Sequence, residues 1–600
     1  MTPTRAHLIT RRRFLAVAGS IASVGLLAAC SQPASAPAKP AETKPAESKP
    51  AATAAPAAIS APVAVAKPTD AAKPAEAKPA ATAAPAQQAP AQAGVPKTVG
   101  PKETFIYGMA ADPTNLDPHV TVDGLALNTM QRCYDKLVDL RPGEPKPGAP
   151  LEVDPEVADS WTVSPDSLTY TFKLKPGLKF ADGSPLDANA VKWSFDRMMK
   201  INKSGAANIR QLKSTEAKDP TTVVMILSDP YAYFLPALGT YAASIINPKV
   251  QEQEKDGDGA QGYLANNAVG SGPYVISEWR RGEQITLDYN PNWWGKEPSI
   301  KRVIIRIIPE ATNQKLALSK GDIDFSGGIS IPEMLTLQGQ PGVKIVEAPS
   351  MSISLAYLNN TKPPLDNVKV RQAMSYAMNY EVHVKDIIQG KGRLINGPLA
   401  YGMEGYDESL TAYTYDPAKA KALLAEAGFP NGFKTSITCI SVDPEPKVCE
   451  SFQTDLKKIG VDLEIKTLAN STVIADAGTP EKNPLTWSGQ LAWTQDYPDP
   501  ADFYSPILSC ASAQPGGWNW SWYCNKDLDA EANKALGMQD KDARMKEYQK
   551  IFQKLMDDAV WVPVYHLEQY IGHSDTLHGD KSDFLHPVHT FMYERLWKSK

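Results

Sequence analysis

Val448-Cys449-Glu450-Ser451-Phe452-Gln453-Thr454-Asp455-Leu456-Lys457-Lys458-Ile459-Gly460-Val461-Asp462-Leu463-Glu464-Ile465 changes its apolar period in mid-course. Val448, Phe452, Leu456 and Ile459 recur every three or four residues, which puts them on one stripe of a helix. Gly460 is a helix stop, because a glycine takes the left-handed conformation there without a Cβ penalty. Beyond it Val461, Leu463 and Ile465 alternate with charged residues, the period of a half-buried strand. A helix running directly into a strand is the unit of an α/β layer.

The same unit recurs on both sides. Asp416-Pro417 reads as an N-cap followed by proline at the first helical position, with Ala420, Leu423, Leu424 and Ala427 as the buried face and Gly428 as the stop. Upstream, Asp366 is placed to cap a helix with Val370, Ala373, Met374, Ala377 and Met378 on one stripe. Downstream, Met545, Tyr548, Phe552 and Leu555 mark a long helix that leads into an apolar strand, Val560 to Tyr565. Nearer the start, Phe105 to Gly108 reads as a strand and Leu125 to Leu137 as a helix. Leu168, Tyr170, Phe172 and Leu174 alternate as a strand, and Asp187 caps a helix carrying Val191, Phe195 and Met198.

Six hundred residues are too many for a single core, so two or more lobes are expected. A net charge of -5 with no basic stripe argues against a nucleic-acid partner, whose binding rests on clustered Lys and Arg. At the start, Arg11, Arg12 and Arg13 precede an apolar run from Phe14 to Ala29 that is too short to span a membrane comfortably. A basic region, a short apolar region and small residues form an export signal. Leu27-Ala28-Ala29-Cys30 resembles the bacterial lipobox, which implies cleavage before Cys30 and acylation of it. Thr10 to Leu15 resembles the twin-arginine pattern, although a general secretion signal has a similar basic region. From Ser31 to about Gly100 the chain is almost entirely Ala, Pro, Lys, Thr, Glu and Ser, with too little apolar bulk to offset the entropy of ordering. It is expected to be a disordered tether, reaching up to about 200 Å in polyproline geometry.

Several spaced segments carry a resemblance. Val157 to Trp161, Leu168 to Phe180 and Asp182 to Arg197 are followed by Gly270-Ser271-Gly272-Pro273-Tyr274 and Tyr289-Asn290-Pro291-Asn292-Trp293-Trp294-Gly295. Gly321 to Asp324, Tyr357-Leu358-Asn359-Asn360, Pro364 to Ala373 and Tyr415 to Phe429 continue the order. Together they resemble the family 5 extracellular solute-binding proteins, the peptide- and nickel-type receptors of ABC importers. The resemblance implies an α/β, two-lobed periplasmic-binding-protein-like fold with a hinge and an extra subdomain in the first lobe. It divides the chain into an export signal at 1–30, the tether at 31–100 and a solute-binding body at 101–600. Within the body it places the first lobe at about 101–135, 240–325 and 565–600, the extra subdomain at about 136–239, and the second lobe at about 326–564. It also implies a monomer, an ABC permease as membrane partner, and an extracytoplasmic location on the outer face of the cell membrane through lipidated Cys30.

The common catalytic and cofactor motifs are missing. Gly257 to Gly262 fits G-x-G-x-x-G, but the charged Gln251 to Asp256 before it cannot be the buried strand of a dinucleotide fold. No H-E-x-x-H, G-x-S-x-G or phosphate-loop motif occurs, so no catalytic residue and no cofactor is expected. His566, His573, His578, His586 and His589 match no zinc spacing and read as surface and loop histidines, so no metal site is assigned. The cysteine spacing admits local disulfides between Cys510 and Cys524 and between Cys439 and Cys449, with Cys133 left as a buried thiol on a helix. Connectivity itself is not readable from sequence.

The segment of chemical interest is Trp487-Ser488-Gly489-Gln490-Leu491-Ala492-Trp493-Thr494-Gln495-Asp496-Tyr497-Pro498-Asp499-Pro500-Ala501-Asp502-Phe503. It sets aromatic faces beside acids on a proline-stiffened backbone, which suits a small organic ligand bearing a positive charge; an aromatic strand end running into a Pro/Asp turn has the same composition. In peptide-binding members of the family the W-x-x-D segment faces the cleft and its aspartate pairs with the ligand α-amino group, which maps onto Trp493 and Asp496. Tyr497, Trp487, Gln490 and Asn359 complete the candidate contacts. Gln490 stands where an oligopeptide-type relative has an arginine for the ligand carboxylate. The expected ligand is a short peptide or similar small solute. The alternatives are an oligosaccharide stacking on tryptophans such as Trp518, Trp520 and Trp522, a metal chelate, or a secreted hydrolase's substrate.

Overall fold

The computed structural model describes residues 87–88, 99–121, 123–144, 146, 152–410, 413–441, 444–489, 493–494, 499–586 and 592–599. The opening stretch folds as its period requires. Helix Glu445–Lys458 buries Val448, Phe452 and Leu456, Gly460 takes φ +88°, and strand Asp462–Leu468 follows. That strand pairs in parallel with Lys434–Ile440, which pairs in parallel with Leu485–Trp487, as right-handed helix crossovers demand.

Two strands join this half of the sheet to the other half. Val343–Leu358 has 16 residues and Trp561–Ser574 has 14, well beyond the usual strand, and at about 3.3 Å per residue each runs roughly 45–50 Å. Toward one end Trp561–Ser574 pairs with Phe325–Ser326, which lies parallel to Thr104–Met109 and so leads to Arg302–Ile307, Gln284–Tyr289 and Tyr274–Arg280. Toward the other end Val343–Leu358 pairs with Leu485–Trp487. The long pair is therefore shared by two lobes. Its register breaks twice between them: Pro349 faces Glu568 but Ile353 faces His566, and Ser354 faces Tyr565 but Leu355 faces Pro563. Bulges of this kind bend a ribbon, and Pro349 and Pro563 cannot donate to the ladder. We take this break, where the two halves of the sheet meet, as the hinge of the two-lobed fold.

An extra four-stranded antiparallel sheet, in the order 158–163, 169–174, 222–227 and 212–219, forms its own layer with helix Ala188–Ile201. Tyr170, Phe172 and Leu174 face its core, and the Asp187 carboxylate accepts the Asn189 and Ala190 N–H groups at 2.9 and 3.0 Å. The cores follow the pleat. Met351, Ile353, Leu355 and Tyr357 belong to a cluster continuous with the extra subdomain, whereas Ala356 and Leu358, on the opposite face, belong to the second lobe's own core. The first lobe's core gathers Phe105, Tyr107, Ile285, Leu287, Val303 and Ile305.

Several local expectations are corrected. The helix after Asp366 is capped by Asn367, whose side chain accepts the Lys369 N–H at 2.9 Å. The first helix is short, Gly124–Met130, and Cys133 sits in a following 3-10 turn, buried, with its thiol pushed up to about 12 by burial. Gln87 and Gln88, placed in the tether, pair with Glu278 and Trp279 at the sheet edge. His566, His573 and His586 are buried, because the last apolar strand continues through the sheet to Ser574 and the C-terminal turns pack on it. His578 lies against Trp597 at 4.2 Å, and His589 lies outside the described residues. No helix among the described residues is long and apolar enough to cross a membrane.

Candidate ligand-binding site

The segment from Trp487 to Phe503 is pinned to the hinge strand at two points, Ser488 and Trp493–Thr494. Ser488 N–H donates to the Leu355 carbonyl at 2.9 Å, and the Leu355 N–H donates to the Ser488 hydroxyl at 2.8 Å. Trp493 and Thr494 then pair antiparallel with Ile353 and Ser352, next to the register break. Beyond them Asp499 caps a 3-10 turn, Pro500–Phe503, accepting the Ala501 N–H at 2.6 Å. Gln490, Asp496 and Tyr497 lie outside the described residues, between these anchors.

Trp493 is half-buried. Its indole N–H donates to the Asp502 carbonyl at 3.0 Å, and its ring meets Trp518 edge-on at 6.3 Å. Trp518, 43% exposed, tilts onto buried Trp520 at 5.6 Å, which meets Tyr357 at 5.4 Å. An aromatic ladder thus runs from a surface ring to the hinge strand. The loop carrying Trp518, Trp520 and Trp522 is closed by a disulfide between Cys510 and Cys524. The other pairing is not formed: Cys439 and Cys449 are buried free thiols. Cys439 lies at the end of strand Lys434–Ile440 and Cys449 in helix Glu445–Lys458, whose first turn holds Pro446.

Two candidate contacts prove to be internal. Trp487 is 1% exposed, donates its indole N–H to the buried Glu445 carboxylate and meets Tyr565 edge-on at 5.9 Å, so it packs the second lobe. Asn359 is 1% exposed; its amide donates to the carbonyls of Pro480 and Asn483, and its oxygen accepts from Thr361. Its hydrogen-bonding capacity is spent on the loop before Leu485–Trp487, where a strand end would otherwise leave orphan groups.

A group that sequence reasoning missed lies across the same crossing. Arg393, on the short strand Gly392–Leu394, pairs with His566, which pairs with Ile353, which pairs with Trp493. Residues directly opposite share a face, so these four form one row about 14 Å wide at the usual strand spacing. The Arg393 guanidinium sits 4.3 Å over Tyr401 and 2.8 Å from Glu568, and Tyr406 meets His566 edge-on at 5.7 Å. The three-residue strand has no period of its own and gave no local signal.

Buried Asp499 is pushed up to about 6, because burial outweighs the attraction of Arg544, 3.1 Å away. Among the described residues no group of three or more His, Cys, Asp or Glu side chains is placed to hold a metal ion.

Two α/β lobes on a shared pair of bent strands, with an aromatic and acidic segment fastened to the bend, define a hinged solute-binding protein. Residues 152–515 match the model of the bacterial extracellular solute-binding proteins, family 5 (middle region), and the chain belongs to that family. It is 35% identical over 469 residues to the probable D,D-dipeptide-binding periplasmic protein DdpA of Escherichia coli strain K12, covering 78% of this chain and 89% of that protein. It is 30% identical over 488 residues to heme-binding protein A of Haemophilus influenzae, covering 77% and 87%. The solved structure of the periplasmic binding protein DppA from Helicobacter pylori, in complex with the peptide STSA, is similar with a TM-score of 0.72 and 28% identity, covering 83% of this chain and 98% of that one.

Proposed function

We propose that this chain is the receptor of an ABC importer for short peptides, binding them between its lobes and delivering them to a membrane permease. The observation that carries the reading is the attachment of the Trp487–Asp499 segment to the hinge strand on its N-terminal side, at Leu355 through Ser488 and at Ile353 through Trp493. A ligand held by that segment and by the first lobe has full contact only when the lobes are shut, so its differential affinity drives closure. The peptide-bound Helicobacter pylori relative and the D,D-dipeptide-binding relative support the ligand class.

In this reading Asp496 pairs with the ligand α-amino group, Trp493 and Tyr497 flank it, and Gln490 contributes a neutral contact near the carboxylate. Trp487 and Asn359 are structural. The protein acts without turnover, as a monomer, exported by the signal at 1–30, anchored by lipid on Cys30 and held off the membrane by the segment at 31–100. Exposed Trp518 beside Trp493 favours one second reading, a neutral sugar stacked on that ladder.

Native mass spectrometry of the protein as purified tests the ligand class directly: co-purified peptides are expected, and a sugar or metal chelate in their place refutes the reading. Asp496→Asn is expected to weaken peptide binding by orders of magnitude while leaving a neutral sugar unaffected. Peptides incubated with the protein are expected to be recovered intact.

A further inference from the structure

The extra subdomain meets the second lobe across a shared apolar cluster, to which Tyr233 and Phe234 belong with Tyr548, Ile551 and Phe552, and a buried polar cluster lies in the same contact. Tyr233, just past strand Thr222–Leu227, donates its hydroxyl to the Glu404 carboxylate, and Lys541 Nζ lies 2.9 Å from the other Glu404 oxygen. The Arg544 guanidinium sits 4.1 Å over the Tyr233 ring and pairs with Asp499 at 3.1 Å. Tyr233, Glu404, Asp499 and Arg544 are all at least nine-tenths buried. In the same contact the Pro230 carbonyl lies 3.9 Å from where a Cβ on Gly537 would stand.

Arg544 is a buried cation, held charged by Asp499 and its neighbours, with hydrogen bonds left unmade. Its Nε and Nη1, and the neighbouring Tyr548 hydroxyl, have no hydrogen-bond partner among the described residues. Desolvating a guanidinium is costly, and here one carboxylate and one ring face offset that cost. The ring comes from the subdomain and the carboxylate from the second lobe, so the arrangement is complete only while the two are in contact. If the subdomain moves away, Arg544 loses the ring and gains water. The second lobe then keeps Arg544, Asp499 and Glu404, whereas the subdomain keeps Tyr233.

We propose that Tyr233 and Arg544 form a closure contact that sets ligand affinity, with Arg544 a positioning residue for Asp499 and not itself a ligand contact. This rests on the peptide-receptor reading for the ligand; the contact itself lies within the chain and includes no ligand atom. Affinity falls in proportion to the binding-competent fraction, so weakening the contact weakens every ligand by the same factor. A side chain that touches ligand discriminates among ligands instead.

The test compares the full chain with Tyr233→Phe and Tyr233→Ala. Small-angle scattering of the unliganded proteins reads closure, and titration calorimetry with three dipeptides of different side chains reads affinity. Tyr233→Ala is expected to enlarge the unliganded radius of gyration and to raise Kd about tenfold for all three dipeptides, the scale of a desolvated cation–π contact with its hydrogen bond. Tyr233→Phe, which keeps the ring and loses the hydroxyl, is expected to fall between the two and decides the matter if the alanine variant does not fold. An unliganded radius unchanged by the substitution overturns the proposal, and so do factors that differ among the dipeptides. If no dipeptide binds the wild type, the peptide reading fails while the scattering comparison still decides the contact.

Discussion

Acidification from pH 7 to pH 5 is expected to weaken the fold through three buried histidines, and His566 at the hinge isolates one share of the effect. His566 is pushed down to about 3, first by burial and then by Arg393, against a backbone hydrogen bond at Ser352 that raises it. His383 is pushed down to about 4 by burial, offset in part by Asp455, and His119 to about 4 by burial, offset in part by Asp117. A histidine depressed in the fold binds its proton more tightly when unfolded, so its stabilisation is present above about pH 6.5 and is lost as pH falls toward the folded value. At pH 5 each of the three costs about 2 kcal/mol, about 6 in all. Asp499, held near 6 by burial, has the opposite sign: its stabilisation is full below about pH 3.8 and is lost as pH rises through 6. Over the same interval acidification therefore returns about 1.4 kcal/mol; His573 and His586, lowered by burial, add to the loss, and Asp135 and Glu156, raised by burial, add to the return. For a body of roughly 500 residues, about 2 kcal/mol moves Tm by about 2 °C. Differential scanning calorimetry of the wild type and of His566→Gln between pH 7 and pH 5 therefore isolates the His566 share as the difference between their two drops in Tm. For His566→Gln the drop should be smaller by about 2 °C, whatever the variant's Tm at pH 7. An identical pH dependence in the two proteins refutes the argument.

Three further outcomes are expected. Replacing both Cys510 and Cys524 by serine frees a loop closed over a separation of 14 residues, which costs about 3 kcal/mol in the chain-entropy model, measured by urea unfolding. Because that loop carries Trp518 and Trp520, the tryptophan emission should shift with it. Gly432→Ala places a Cβ 1.9 Å from the Gly460 carbonyl oxygen at a φ of +74°, so a backbone must move and the loss is expected to exceed about 3 kcal/mol. Gly428→Ala, at φ +89° with nothing within 4 Å, should cost only the left-handed strain of about 1 to 2 kcal/mol in the same denaturant assay.

What was legible in the sequence was what neighbours along the chain decide. The change of period around Gly460, the caps at Asp187 and Asp416 and the glycine stops each rest on a few consecutive residues, and the structure reproduces them. The errors fall where distant chain intervenes. Asp366 and Asn367 are adjacent cap formers, and the tertiary turn before the helix selected the second. Histidines near the C-terminus read as polar loop residues, yet the last strand continues past Tyr565 because Val343–Leu358 offers it a partner as far as Ser574. Trp487 and Trp493 are alike in composition and six residues apart. The first fills the second lobe's core and the second stands half-buried at its edge, a difference set by Glu445, Tyr565 and Trp518.

The row Arg393, His566, Ile353 and Trp493 shows why the site is less legible than the fold. Its members come from four strands that meet only when both lobes are assembled. The same assembly explains how binding and closure are linked. Trp493 and Thr494 are held by backbone bonds to the hinge strand itself, so a ligand that orients the segment acts on residues one or two positions from the register break. Asp499, at the segment's far end, is held by Arg544, which in turn rests on Tyr233 of the extra subdomain. The segment is thus fastened at one end to the pivot and at the other to a contact between the bodies that pivot. On the proposed receptor reading, a ligand seated on it would have differential interaction with the open and shut states even where its own contacts are few, and that difference is what would shift the hinge equilibrium.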